Sequence, residues 1–220
     1  MFRQPLLILT LLLSLFSCKE KEKEAVTKPD AVKDSNGTVT APSVNVSHST
    51  VVNPYATVDV SPMDMSYYPV EYPKLKMANV NIAPPVVRVV YSRPHLQGRH
   101  LFNDVLKYGE PWRLGANEST EIQFYRDVTI QDKKVKTGRY ILYCIPEADK
   151  WTIVLNSNND SWGLKQEPTK DIDRFDIPVK HDHGGPSLEY FTIVFEKTAT
   201  GADMIMAWGD ILARLPITFH

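Results

Sequence analysis

Apolar and polar positions alternate with a period of two along much of the second half of the chain. Ile122, Phe124, Val128 and Ile130 fall on one face, while Gln123, Asp127 and Thr129 fall on the other. That is the spacing of a half-buried strand. Arg126 interrupts the apolar face and predicts a bulge or an edge. Val86 to Tyr91 is rich in β-branched residues, and Tyr140 to Ile145 is apolar on both faces, as suits a central strand. The turn Glu147–Lys150 links it to Trp151–Leu155 in a predicted hairpin. Arg174–Val179, Leu188–Phe195 and Met204–Trp208 continue the series. In the last strand Ile211, Ala213, Leu215, Ile217 and Phe219 alternate with Arg214, Pro216 and Thr218. Pro216 lacks a ladder donor, which favours an edge. The connections are too short for βαβ crossovers. The expected fold is therefore all-β, a mostly antiparallel sandwich or jelly roll in a single domain.

The N-terminus follows other rules. Arg3 precedes an apolar run from Leu6 to Phe16, which fits the hydrophobic region of a secretory signal. It is shorter than the roughly 20 residues that span a bilayer. The run ends in Leu15-Phe16-Ser17-Cys18, which resembles the lipobox of bacterial lipoproteins. That resemblance implies cleavage before Cys18 and a diacylglyceryl group on its thiol. An uncleaved anchor, or a conventional signal with an incidental cysteine, is the alternative. Lys-Glu repeats over residues 19–24 resemble the surface-export signals of Bacteroidetes lipoproteins. The expected organisation is a signal peptide over 1–17, a lipidated and disordered linker over 18–57, and a folded domain over 58–220. The expected location is the outer membrane, on its periplasmic or surface face.

Composition narrows the partners. The formal net charge is −1, and no basic stripe with interleaved aromatics suggests nucleic acid. The two cysteines, Cys18 and Cys144, do not indicate a disulfide framework. Cys144 lies in a predicted strand and reads as a buried, inert thiol. Ser61 to Lys74 carries Tyr67, Tyr68 and Tyr72 among prolines. Those prolines forbid a helix and predict an extended arm along the domain surface.

Candidate chemistry concentrates between Tyr91 and Glu121, where Arg93, His95, Arg99, His100, Arg113, Asn117 and Glu118 lie close in sequence. The loop Arg113–Glu118 allows two readings. Arg93, His95, Arg113, Asn117 and Glu118 can hold an anionic or sugar-like ligand through bidentate arginine bonds and planar amide pairing. Alternatively, Arg113 and Glu118 pair as a structural clasp while Asn117 satisfies the turn. His181 and His183, joined by His95 and His100, would make a zinc site only if the fold brought them together. Surface histidines are the plainer reading, and no metal or cofactor is assigned. Trp112, Trp151, Trp162 and Trp208 suit a core, whereas two exposed side by side would form a sugar-stacking platform. No catalytic residue is assigned. Glu118 with Asp104 is the one carboxylate pair considered for glycoside hydrolysis.

Tyr91-Ser-Arg-Pro, Gly98-Arg99, Trp112-Arg-Leu-Gly-Ala-Asn-Glu-Ser-Thr120, Gly138-Arg-Tyr, Ile145-Pro, Trp151-Thr-Ile-Val-Leu-Asn and Trp162-Gly resemble the domain of unknown function numbered 2911. The resemblance runs from about Pro84 to Phe219 and extends to the tyrosine-rich arm. It implies a β-rich extracytoplasmic domain and no mechanism. The functional expectation is a lipid-anchored envelope protein that binds a carbohydrate, a peptide or an envelope partner. The alternatives are a hydrolase-like enzyme using the Arg113–Glu118 loop, and a structural subunit with the arm as its interface.

Overall fold

Alternation of inward apolar and outward polar side chains carries eleven strands among the described residues, all paired antiparallel. The computed structural model describes residues 61–182 and 184–220. The expected signal peptide, Cys18, the expected linker to residue 57 and His183 lie outside them. The strands are β1 Met63–Tyr68, β2 Val87–Ser92, β3 Thr120–Phe124, β4 Val128–Ile130, β5 Lys133–Val135, β6 Gly138–Pro146, β7 Lys150–Asn156, β8 Asp171–His181, β9 Leu188–Lys197, β10 Gly201–Gly209 and β11 Ile211–Phe219. They run in the order β1-β2-β3-β6-β7-β8-β11-β10-β9, with β4 against β11 and β5 against β4.

The all-β, antiparallel expectation holds. The layers of the expected sandwich are continuous, however, forming one sheet that curls nearly into a barrel. The two edges meet through side chains and a short extension of β2. Pro94 to Leu96 runs antiparallel to β9, with Phe191 N–H donating to Pro94 O at 2.9 Å and Leu96 N–H to Glu189 O at 3.0 Å. One turn further along β9, the buried Tyr91 hydroxyl accepts from Ile193 N–H at 2.9 Å and donates to Ile193 O at 3.2 Å. The phenol, with the Ser66 hydroxyl of β1 donating to the same Ile193 O, thus stands in for the missing strand and satisfies the backbone of Ile193. Burial, ahead of every other influence, pushes this phenol above its ordinary pKa.

Local departures from the expected elements have local causes. The strand expected to run through Arg126 breaks into β3 and β4, because the guanidinium cannot enter the interior. Arg126 is exposed and lies over the Phe219 ring, 5.7 Å from its centroid. Asp127 fastens the turn by accepting from Thr137 N–H at 2.8 Å. The tyrosine-rich arm does not stay extended throughout. Met63–Tyr68 pairs with β2, and Tyr72–Ala78 forms a helix, α1. Pro73 falls in its first turn, where a missing N–H costs nothing. Pro216 falls between the residues of β11 that pair β8 (Ile211–Ala213) and those that pair β4 (Thr218, Phe219). The expected edge is not found, since β11 lies between β8 and β10 with Pro216 opposite Asp203; the missing donor is tolerated because neither β8 nor β4 pairs with Pro216 on its other side.

Strand β6 is buried on both faces, as its sequence predicts. Inward-facing Cys144 is fully buried, and burial raises its thiol pKa well above the ordinary value. Outward-facing Tyr143 is also covered. Its hydroxyl donates to the Asp171 carboxylate at 2.9 Å, and burial first, then Asp171, pushes its pKa up to about 12. Three of the four tryptophans pack together with Phe191. Trp112 lies 5.6 Å from Trp208, 5.8 Å from Trp151 and 4.9 Å from Phe191, ring centre to ring centre.

Candidate functional site

The loop between β2 and β3 returns to the barrel twice. Trp112 exchanges both backbone hydrogen bonds with Cys144 of β6, each 2.7 Å. This places its half-buried indole against the aromatic cluster at the seam. The indole N–H then donates to Gly115 O at 3.0 Å. A methyl group on Gly115 would sit 3.0 Å from both Ser92 O and Thr120 Oγ1. The sequence expectation of a tight passage at Gly115 is met. Leu114 (φ 50°) and Asn117 (φ 59°) take left-handed backbone, which side-chain-bearing residues adopt at a cost of about 1–3 kcal/mol each. Such strain persists only where the surroundings over-determine it. Here Thr120 Oγ1 grips Leu114 O at 2.6 Å, and Arg113 Nη1 donates to Asn117 O and, at 3.2 Å, to Trp162 O.

Around this loop lies a cavity of about 330 Å³. Arg99, Arg113 and Asn117 supply its polar wall, and Trp112, Trp208 and Pro94 its apolar wall. Among the described residues, no carboxylate lines it. Arg99 is exposed and holds its guanidinium in place by donating to Leu96 O and His95 O, each at 2.8 Å. Neither arginine has an acidic partner among the described residues. Partial burial lowers the Arg113 pKa, though a guanidinium stays charged at any physiological pH. The cavity therefore concentrates two uncompensated positive charges beside aromatic surface.

The five candidate residues divide. Arg113 and Asn117 line this cavity together. Arg93 is engaged at the seam, where Nε donates to Phe191 O (3.1 Å), Nη2 to Thr192 Oγ1 (3.0 Å), and Nη1 lies 3.4 Å from Asp64. His95 belongs to the same seam. Its ring stacks on Tyr190 at 5.1 Å, and its Nδ1 lies 3.5 Å from Glu189. Glu118 is exposed and lines a neighbouring cavity of about 350 Å³ with Ser119, Glu121, Asp160 and Trp162. The Arg113–Glu118 ion pair does not form. Glu118 lines a different cavity from Arg113 and Asn117, and the main-chain carbonyls of Asn117 and Trp162 take the guanidinium instead.

Two residues at these cavities were absent from the sequence-derived site. Arg99 follows the turn residues Gln97 and Gly98, both at positive φ (52° and 73°), and only that turn aims it back. Trp162 is 55% exposed, unlike the three tryptophans of the core. Its position in a polar Asn-Asp-Ser stretch was the available signal. His181 is exposed, 3.5 Å from Asp210, with its Nε2 3.1 Å from Ala148 O.

Fold and site together define a nearly closed, single-sheet β domain with a cationic, tryptophan-walled cavity beside its seam. The chain belongs to the family described as protein of unknown function DUF2911, which matches residues 73–217. No curated protein and no solved structure matches the chain.

Proposed function

We propose that this protein is a lipid-anchored binding protein of the cell envelope whose site is the cavity between Arg99 and Arg113. It takes up a small anionic ligand without transforming it. The observation that carries the reading is a pair of arginines lining one cavity with no carboxylate among the described residues to neutralise them. Two guanidiniums so placed match a carboxylate or phosphate in charge and in planar donor geometry. Aromatic surface from Trp112 beside them suits a ring or an apolar face of the same ligand. Charged hydrogen bonds are strong enough for one lost guanidinium to weaken binding about tenfold.

Titration calorimetry of the full chain tests this with glucuronate, glucose 6-phosphate and glucose. Either anion should bind while glucose does not. Arg99→Gln and Arg113→Met should each lower affinity about tenfold. Binding of neither anion, or wild-type affinity in both variants, rejects the site.

The anchor rests on Leu15-Phe16-Ser17-Cys18 and the charged residues after it. Each buried acyl methylene contributes about 0.8 kcal/mol, and two chains hold a protein durably where one does not. Cys18→Ala is expected to leave the chain uncleaved at this position and without the diacylglyceryl mass. Detergent partitioning with mass analysis of the mature N-terminus reads this directly. An unmodified Cys18 in the mature wild type would refute the anchor.

A further inference from the structure

The cavity that carries Glu118 shares a wall with the cationic one. Asn117 lines the first and Glu118 the second, on consecutive residues of one loop. Arg113 ties them together, since Nη1 reaches Trp162 O, a residue of the second cavity, at 3.2 Å. Gly163 seals the joint. A methyl group there would meet Ser119 Oγ at 2.5 Å and Arg113 Cβ at 3.2 Å. The two cavities are therefore neighbours in one held structure, and they differ sharply in chemistry.

The second cavity sets the exposed Trp162 indole, its one aromatic ring, beside the aliphatic side chains of Met63, Val90 and Ile141 and among acceptors. Arg139 neutralises two of its three carboxylates, bonding Asp160 at 2.7 and 2.9 Å and lying 3.4 Å from Glu121. Glu118 has no cationic partner among the described residues. Ser119 and Ser161 hydroxyls lie 3.2 Å apart on the same wall. A flat indole ringed by carboxylate and hydroxyl groups suits a neutral pyranose. The ring's C–H face stacks on the indole, and its hydroxyls donate to the carboxylates. An acidic group placed there would meet Glu118 at close range.

We propose that the ligand is an acidic saccharide of at least two units. Its uronate carboxylate lies between Arg99 and Arg113, and a neutral sugar unit stacks on Trp162. The proposal deepens the reading of the cationic cavity and rests on it. A peptide of similar length fits less well, because each acidic residue beyond the first would face Glu118.

Titration of the full chain with four probes separates the two claims. The probes are glucuronate, a disaccharide of glucuronate linked to a neutral hexose, a neutral disaccharide, and Glu-Glu dipeptide. The mixed disaccharide should bind about tenfold more tightly than glucuronate. Trp162→Ala, a change at a half-exposed loop residue, should abolish that gain and leave glucuronate affinity unchanged. Glu118→Gln should reduce the gain without removing it. Glucuronate binding with no gain from the second sugar, or a gain that survives Trp162→Ala, overturns the saccharide proposal and leaves the anion site standing. Tighter binding of Glu-Glu than of the mixed disaccharide overturns it in favour of a peptide ligand. No binding of glucuronate, the mixed disaccharide or Glu-Glu overturns both claims at once.

Discussion

Phe191→Ala is expected to lower the free energy of unfolding by about 3–5 kcal/mol, the range for a large buried aromatic. Phe191 is fully buried, with its ring 4.9 Å from Trp112, 5.8 Å from Tyr91 and 5.9 Å from Trp208. All three neighbours are large and held elsewhere. Trp112 is fixed by its bonds to Cys144, and Trp208 by its indole N–H on Glu189 O at 3.1 Å. They cannot collapse into the space, so most of the cavity cost remains. The position matters as much as the size. Phe191 contributes its N–H to Pro94 O and its carbonyl to Arg93 Nε, so its backbone forms part of the seam. Urea denaturation followed by tryptophan fluorescence is the measurement. Phe191→Leu, which keeps most of the volume, should lose less than half as much. A loss under about 1 kcal/mol in the alanine variant would show that the aromatic cluster does not stabilise the seam.

The seam is also where the sequence is least legible. The strands β2, β6, β7, β9, β10 and β11 follow from alternation and β-branched runs, since each signal lies within about ten residues. Closure depends on Tyr91 and Arg93 reaching residues of β9 about a hundred positions later, and no local pattern encodes that separation. Strand β1 hides behind the prolines of its arm, and the helix after it uses Pro73 where a helix tolerates proline. The same distinction sorts the candidate site. Arg113 and Asn117 lie four residues apart on one loop, so grouping them from sequence succeeds. Arg99 joins them only because Gln97 and Gly98 turn the chain back. Arg93 has the residue type of a ligand contact, but the barrel uses its donors to fasten β9. Residue identity gives chemical capacity, and the partners already engaged decide what remains for a ligand.

Glu118→Gln is expected to change stability by less than about 0.5 kcal/mol, because the carboxylate is exposed and pairs with no cation among the described residues. Arg113→Met is expected to cost about 1–3 kcal/mol. The methionine keeps much of the apolar stem that packs on Gly163, so the loss reports the guanidinium. Two carbonyls, of Asn117 and Trp162, lose a charged donor, and the left-handed backbone at Leu114 and Asn117 loses one of its restraints. The double variant should equal the sum of the singles within about 0.5 kcal/mol, since the two side chains share no contact. Hydrogen exchange should localise the effect, with faster exchange at Gly115 to Asn117 in Arg113→Met and none in Glu118→Gln. A Glu118→Gln loss as large as that of Arg113→Met, partly restored in the double, would mean the two residues pair in solution. The cationic cavity would then hold one uncompensated arginine rather than two.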